Sequence, residues 1–284
     1  MDSNVISGIE LAKKLKNKMR MEVSALKEKY GRVPHLVVIM VGDDPASQSY
    51  VKGKSKACDE VGIQNTTVYL DKDISQVELL RRIQEFNLID KVDGILVQLP
   101  LPPHIDEHAV MNFINPKKDV DGFHPFNVDG LYTGKECICP CTPKGIIKLL
   151  DYANVPIKGA NVVVIGRSNI VGLPVAKMLL DRNATVTVCH SKTQGLSEIT
   201  KKADILVVAI GKPKFVTEDM VREGVVVIDV GVNRIDGKLC GDVDFENVKD
   251  KASVITPVPG GVGPMTITCL MENTIECFKQ KYRI

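Results

Sequence analysis

The sequence predicts an α/β protein made of two strand–helix series, each organised around a mainly parallel sheet. Three observations predict it. Short runs of Val, Ile and Leu alternate with amphipathic stretches over the first hundred residues. A second alternation begins near residue 160. Between them lies a Pro-, Gly-, Asp- and Asn-rich stretch over 115–143. Strands separated by helices favour parallel pairing through crossover connections. A length of 284 residues gives room for two modest domains.

Over 8–30, Ile9, Leu11, Leu15, Met19, Val23 and Leu26 recur at mostly three- and four-residue intervals, which predicts a helix that Gly31 ends. HLVVIMVG (35–42) reads as a buried strand. DDPAS then opens a helix running to about Val61, closed by Gly62. TTVYL (66–70) is a second strand. Residues 75–87 follow as a helix with Val77, Leu80, Ile83 and also Leu79 as inward candidates. DGILVQLPLP (93–102) is a third strand, ending in prolines. The 115–143 stretch reads as loops and an inter-domain connection, and TPKGIIKLLDYA (142–153) as a helix with Pro143 in its first turn. Four strands follow: VVVIG (162–166), TVTVCH (185–190), DILVVAIG (204–211) and VVVIDVG (225–231). VGLPVAKMLLD (171–181) is the clearest helix among them. The stretch 265–282 is a final amphipathic helix.

Composition narrows the function. Hydrophobic residues make up 44% and charged residues 25%, an ordinary globular balance. The net charge of +2, from 37 basic and 35 acidic side chains, points to neither nucleic acid nor a membrane surface. No apolar run is long enough to span a bilayer, and the first residues carry no signal-peptide core, so a cytoplasmic protein is expected. Cys137, Cys139 and Cys141 form a C-x-C-x-C cluster. A structural zinc site needs a second ligand pair at suitable spacing, and none follows, so reduced thiols and no metal are expected.

GRSNIVG (166–172) follows a predicted strand and precedes a predicted helix, the setting of a phosphate-binding turn. Gly166 and Gly172 let a pyrophosphate approach the backbone, and the helix N-terminus offers free N–H groups. The pattern lacks the middle glycine of G-x-G-x-x-G, so a ligand-free turn is the competing reading. The next strand decides more. An NAD site places an acid near its end, for the ribose hydroxyls. Here His190, Ser191, Lys192 and Thr193 stand in that place, with Arg167 at the turn. Hydroxyls and cations suit a 2′-phosphate, so NADP is expected, bound by a Rossmann-like second domain. Gly211 and Gly231 end the next two strands, where a nicotinamide would need room.

The helix near Ala46 holds an anomaly. At about 100° per residue, Ser47, Tyr50, Lys54, Ala57, Cys58 and Val61 share the core-facing stripe. A lysine there either snorkels to water or lines a cavity. In a semi-apolar cavity its charged form is disfavoured, and it exchanges protons near neutral pH. Tyr50 is four residues away, within reach. Gln98, inside a buried strand, is either a satisfied strand-end amide or a partner for Lys54. Asp119 and Asp121 are turn-formers or, for Asp121, an acceptor for an amidine-like heterocycle edge.

Several segments resemble one family together: YVKGKSKACDEVGI (50–63), DGILVQLPLP, KDVDGFHPFNVDG (118–130), PCTPKG (140–145), GRSNIVGLPVA (166–176), CHSKT, DVGVN and PVPGGVGPMT (257–266). The chain is similar to bifunctional methylenetetrahydrofolate dehydrogenase/methenyltetrahydrofolate cyclohydrolases, in their short two-activity form, from about residue 42 to 275. The resemblance implies two α/β domains separated by a cleft: 1–122 with 270–284 for folate, 146–269 for NADP, and 123–145 as connection. It implies that Tyr50, Lys54, Gln98, Ser47 and Asp121 are catalytic, with Lys54 the acid–base group. Tyr50, Gln98, Leu99, Pro100, Asp121, Gly260, Gly261 and Gly263 would hold the tetrahydrofolate substrate. Gly166, Arg167, Ser168, Gly172, His190, Ser191, Gly211 and Val232 would bind NADP. A homodimer is implied, and the Leu99–Pro100 bond is expected to be cis. Two other readings remain at this point: an NADP dehydrogenase of the shikimate type, and a non-catalytic NADP- or folate-binding regulator.

Overall fold

The structure is a computed structural model that describes residues 4–284, with the backbone alone at Ala46. Contacts divide the chain into two compact units. The first comprises Lys14–Cys141 and Ile267–Ile284, and the second Met1–Lys13 and Thr142–Thr266.

The chain opens with α1 (Gly8–Tyr30), which begins in the second unit and continues in the first. Leu11, Met19, Val23 and Leu26 are buried along it, whereas Ile9 is 60% exposed. The first unit then runs β1 (His35–Val41), α2 (Pro45–Val61), β2 (Gln64–Leu70), α3 (Gln76–Leu88), β3 (Gly94–Val97), α4 (Glu107–Phe113) and α5 (Pro125–Thr133). Its three strands are parallel in the order β2-β1-β3. Both faces of β1 are covered, and Leu36 through Ile39 are fully buried, as expected for a central parallel strand. The Asp44 side chain caps α2 by accepting from Ser47 N at 2.8 Å, and Gly62 ends it in the left-handed conformation at φ +85°.

The last residues complete this unit. Phe278 is fully buried against Tyr30 and Tyr282. The Arg32 guanidinium lies 4.5 Å from the Phe278 ring centroid and grips the buried Asp93 carboxylate with two bonds of 2.7 Å. An arginine fork so placed neutralises a carboxylate that burial alone would penalise.

In the second unit, α6 (Cys141–Tyr152) leads to β4 (Asn161–Ile165), α7 (Gly172–Asp181), β5 (Thr185–Cys189), α8 (Leu196–Thr200), β6 (Ile205–Val208) and β7 (Val225–Asp229). A small hairpin follows, β8 (Asn233–Ile235) with β9 (Lys238–Cys240), then α9 (Phe245–Val248), β10 (Ala252–Ile255) and α10 (Val262–Tyr282). The five-stranded sheet has the order β10-β7-β6-β4-β5, with every pair parallel. Strand order reverses at β4, where the chain moves outward first to β5 and then to β6. Open sheets of this kind bind ligands at the carboxyl ends beside such a reversal. The mainly parallel α/β class expected from the sequence is what the chain adopts.

Several details differ from the sequence reading. Residues 123–141 are not a connection of loops. They carry α5 and pack in the first unit, where Asn127 is 2% exposed. Pro125 at the first helical position and His124 as its cap, accepting from Phe126 N, start this helix within a composition that resembles a loop. In α3 the inward residues are Leu79 and Ile83, four apart, while Val77 is 79% exposed because it projects about 200° away from Leu79. The strand β10 and the β8–β9 hairpin were also unforeseen. The hairpin turns on Asp236 and Gly237, both at positive φ, and such an Asp-Gly pair is a strong hairpin signal.

Candidate active site

Lys54 lies on the covered face of α2 with Ser47, Val51, Cys58 and Val61, all of which are buried. Its Nζ donates to Gln98 Oε1 at 2.8 Å. Gln98 sits one residue beyond β3, where its backbone N–H donates to Ile39 O and its Nε2 donates to Leu99 O at 2.6 Å. The amide is thus held at both ends, and its oxygen is fixed toward the lysine. The Leu99–Pro100 peptide is cis, as expected from the sequence. Burial holds the Lys54 amine below its ordinary pKa, and the charges of Asp121 and Cys141 oppose that shift.

Asp121 stands in the loop after Asp119. Burial pushes its pKa up to about 6, with Lys54 lowering it and Asp119 raising it. The loop is pinned from inside: the Asp119 carboxylate, 1% exposed, accepts from Gly122 N, His124 N and Asn127 Nδ2 at 2.8–3.1 Å. Asn273, on the part of α10 that belongs to this unit, donates to Val120 O and Cys139 O. Cys141 Sγ points at Val120 O, 3.3 Å away, and lies 4.0 Å from Asp121 Oδ1. A half-buried lysine and a carboxyl, both with shifted pKa values, an oriented amide and a thiol therefore share one small region. Such clusters mark functional sites more often than structural ones.

Tyr50 departs from the expected inward position. The residue is 46% exposed. It lies on the flank of the stripe, about 60° from Ser47. Ala57 on the same flank is small enough to be covered, and the phenol is not. Leu99 is half-buried and Pro100 exposed. Gly260 and Gly261 belong to the second unit, against the start of α1: Ile9 N donates to Gly260 O, and a side chain on Gly8 would come within 1.8 Å of Gly261 O. Gly263 is already inside α10, which begins three residues earlier than the sequence suggested.

In the second unit, Gly166, Arg167, His190 and Ser191 line a single pocket of about 480 Å³ together with Thr193, Leu196, Ala209, Ile210, Lys212 and Phe215. Gly166 has φ +119°, and a Cβ there would lie 2.2 Å from Ala209 O, so only glycine fits. Gly172 is equally confined, 2.3 Å from Gly166 O. Ser168 Oγ accepts from Val171 N and Gly172 N, capping α7 in place of the absent N-cap side chain. His190 Nδ1 accepts from Lys192 N at 3.1 Å, which leaves Nε2 as the ring's donor. Gly211 and Val232 are exposed and do not line the pocket. Gly231 makes room for something other than a ligand: its Cβ would strike the Asp242 carboxylate at 2.2 Å.

The pocket's chemistry fits a dinucleotide phosphate. Arg167, Lys212, His190 and Ser191 suit a phosphate, and Leu196, Ile210 and Phe215 suit a ring face. Sequence reasoning overlooked Lys212 and Phe215. The run GKPKF directly after the third strand of this series was the available signal, a cation at a strand's carboxyl end. The free thiols Cys137 and Cys139 share a hydrogen bond, and this, with burial, raises the Cys137 thiol above its ordinary range. Among the described residues, no group of three or more His, Cys, Asp or Glu is placed to hold a metal. Among the described residues, no helix is long and apolar enough to cross a membrane.

Comparison with known proteins agrees with this division of labour. Residues 6–121 match the tetrahydrofolate dehydrogenase/cyclohydrolase catalytic domain, and residues 140–282 match the NAD(P)-binding domain of the same family. The chain is 57% identical over 277 residues to a protein of Bacillus anthracis named bifunctional protein FolD, covering 97% of this chain and 96% of that one. Among solved structures, the bifunctional FolD dehydrogenase/cyclohydrolase of Campylobacter jejuni superposes with a TM-score of 0.96 at 51% identity, over 99% of both chains. The dehydrogenase-cyclohydrolase of Trypanosoma brucei, solved with NADP and an inhibitor, gives 0.94 at 40% identity, over 99% of this chain and 98% of that one. The lysine–amide–carboxyl cluster thus falls in the segment matching the catalytic half, and the glycine-lined pocket in the segment matching the NAD(P)-binding half; the chain belongs to the tetrahydrofolate dehydrogenase/cyclohydrolase family.

Proposed function

We propose that this chain oxidises 5,10-methylenetetrahydrofolate to 5,10-methenyltetrahydrofolate with NADP and then hydrolyses that product to 10-formyltetrahydrofolate in one shared active site. Family membership supports the pair of reactions. The observation that carries the hydrolytic half is the Lys54 amine, half-buried, hydrogen-bonded to Gln98 and held below its ordinary pKa.

NADP, when bound, would supply the hydride acceptor for the methylene carbon, and the protein supplies orientation. Arg167, Ser191 and His190 are assigned to the 2′-phosphate, Gly166, Ser168 and Gly172 to the pyrophosphate turn, and Gly211 and Val232 to the nicotinamide side. Hydrolysis needs a base and then an acid. Water attacks the methenyl carbon as the neutral Lys54 amine takes its proton. The same nitrogen, now ammonium, returns a proton to the departing ring nitrogen. An amine whose ammonium form is disfavoured by burial serves both transfers more readily than an ordinary surface lysine. Gln98 orients Lys54, and Ser47 lies on the same buried face. Asp121 accepts from the amidine-like edge of the pterin. Tyr50, with Leu99, Pro100, Gly260, Gly261 and Gly263, borders the folate. Tyr50's exposed ring suits stacking on a flat ligand better than a place in the core.

The folate role falls to 1–122 with 270–284 and the NADP role to 146–269. The chain is assigned to the cytoplasm as a homodimer. The test is a spectrophotometric assay with methylenetetrahydrofolate and, separately, NADP and NAD. The methenyl product is expected to appear and then decay, faster with NADP. Turnover of shikimate in its place, or no turnover at all, overturns the proposal.

A further inference from the structure

Two buried carboxylates in the second unit are linked in series, and the proposed chemistry uses neither. Asp229 ends β7 and is 3% exposed; Asp242 follows the β8–β9 hairpin and is fully buried. Asp229 Oδ1 accepts from Gly231 N and Asp242 N, both at 3.0 Å, and its Oδ2 accepts from Val243 N at 2.9 Å. This fixes the backbone that carries Asp242. The Asp242 carboxylate in turn accepts from three successive backbone amides, Ile210 N at 2.7 Å, Gly211 N at 3.0 Å and Lys212 N at 2.8 Å, and from Asn233 Nδ2 at 2.9 Å.

Three consecutive N–H groups converging on one point form an anion nest. Nests at strand ends commonly hold a ligand's phosphate. This one is filled by the protein's own carboxylate, so the nest shapes the loop instead of gripping the ligand. Two glycines are spent on this arrangement. A Cβ on Gly231 would lie 2.2 Å from Asp242 Cγ, and one on Gly241 would lie 1.8 Å from Asp229 Oδ2. The loop so held, Ala209 to Lys212, forms one wall of the pocket lined by Arg167 and His190. It places Ile210 and Lys212 there, with the Lys212 amine 5.7 Å from the Phe215 ring centroid.

We propose that Asp242, itself braced by Asp229, is a positioning residue for NADP: its carboxylate sets the 209–212 backbone against which the cofactor seats. The inference rests on the NADP reading above and adds a residue that touches no ligand. Without the carboxylate, three amides lose their common acceptor. The loop then samples other conformations, and binding carries the cost of reordering it. The penalty falls on cofactor affinity, not on the lysine-dependent hydrolysis.

The experiment compares the parent enzyme with Asp242→Asn and Asn233→Ala. It follows the KM for NADP, kcat at saturating NADP, hydrolysis of methenyltetrahydrofolate without cofactor, and the melting temperature. Asp242→Asn is expected to raise the KM for NADP about tenfold or more while kcat and hydrolysis stay within about twofold. Asn233→Ala, which keeps the carboxylate and removes one donor, is expected to raise it about threefold. A KM unchanged in both variants, or a parallel fall of both activities with the melting temperature, overturns the proposal. If Asp242→Asn does not fold, Asn233→Ala decides alone by the same split. A parent enzyme that shows no NADP-dependent oxidation would sink the functional reading itself, a result separate from any difference between variants.

Discussion

At the scale of single residues, the Lys54–Gln98–Asp121 cluster makes the sharpest predictions. Lys54→Met removes the only group assigned to both proton transfers. Hydrolysis of methenyltetrahydrofolate is expected to fall by a factor on the order of 10³, with folate binding changed only a few-fold. A mutant that hydrolyses as fast as the parent refutes the role. Asp121→Asn tests the electrostatics. The carboxylate favours the ammonium form of Lys54, so its removal lowers the lysine pKa further below its ordinary value. The limb of the pH–rate profile that reports Lys54 deprotonation should move to lower pH; a shift the other way contradicts the assignment. Lys54 was legible in the sequence because a charge on an apolar stripe is conspicuous. Asp119 was read as a turn-former, and it is one, holding three donors around the bend that carries Asp121. Tyr50 was misplaced because periodicity gives a direction from the helix axis and says nothing of how much room lies in that direction.

At the scale of elements, the strand–turn–helix at 161–181 carries the cofactor argument. Arg167 is exposed and lines the pocket, so Arg167→Ala is expected to raise the KM for NADP about tenfold or more and that for NAD much less, read from initial rates with each cofactor. Equal rises would remove the phosphate from the argument. Gly166→Ala meets both a disallowed φ and a carbonyl at 2.2 Å, so it should lower the melting temperature and abolish NADP protection together. Three helices were legible from end to end: α1, α2 and α7 carry clear periodicity with glycine, proline or Asx punctuation. The short ones were not. β10 has only four residues, one of them Ser253, and α5 begins with the residues that usually make loops. In such segments tertiary packing, not local preference, decides the structure.

At the scale of the whole molecule, stability should respond to pH in a direction set by Asp229. Burial raises its pKa to about 6, and its bonds to Val243, Asp242 and Gly231 only partly oppose this. Its folded pKa therefore exceeds the unfolded value, and the native state takes up the proton first. This group's contribution to stability rises as pH falls from 7 through 6 and levels off near pH 4, by an amount on the order of 2 kcal/mol. Exposed carboxyls with lowered pKa values, Asp90 among them, act in the opposite sense. The clean measurement is thus the difference between the parent and Asp229→Asn in denaturant midpoint across that range. An identical pH slope in both would contradict the shift.

The route of the chain has a practical corollary. Asn4 and Ile6 pair with Ile255, and Phe278 completes the aromatic cluster around Tyr30. The two polypeptides produced by cutting at the exposed Gly134 would each therefore carry a terminal piece of the other's core. Neither should be obtainable in native form when expressed by itself. Coexpressed, they should find one another and regain turnover, which would make this chain a natural candidate for a split-enzyme reporter.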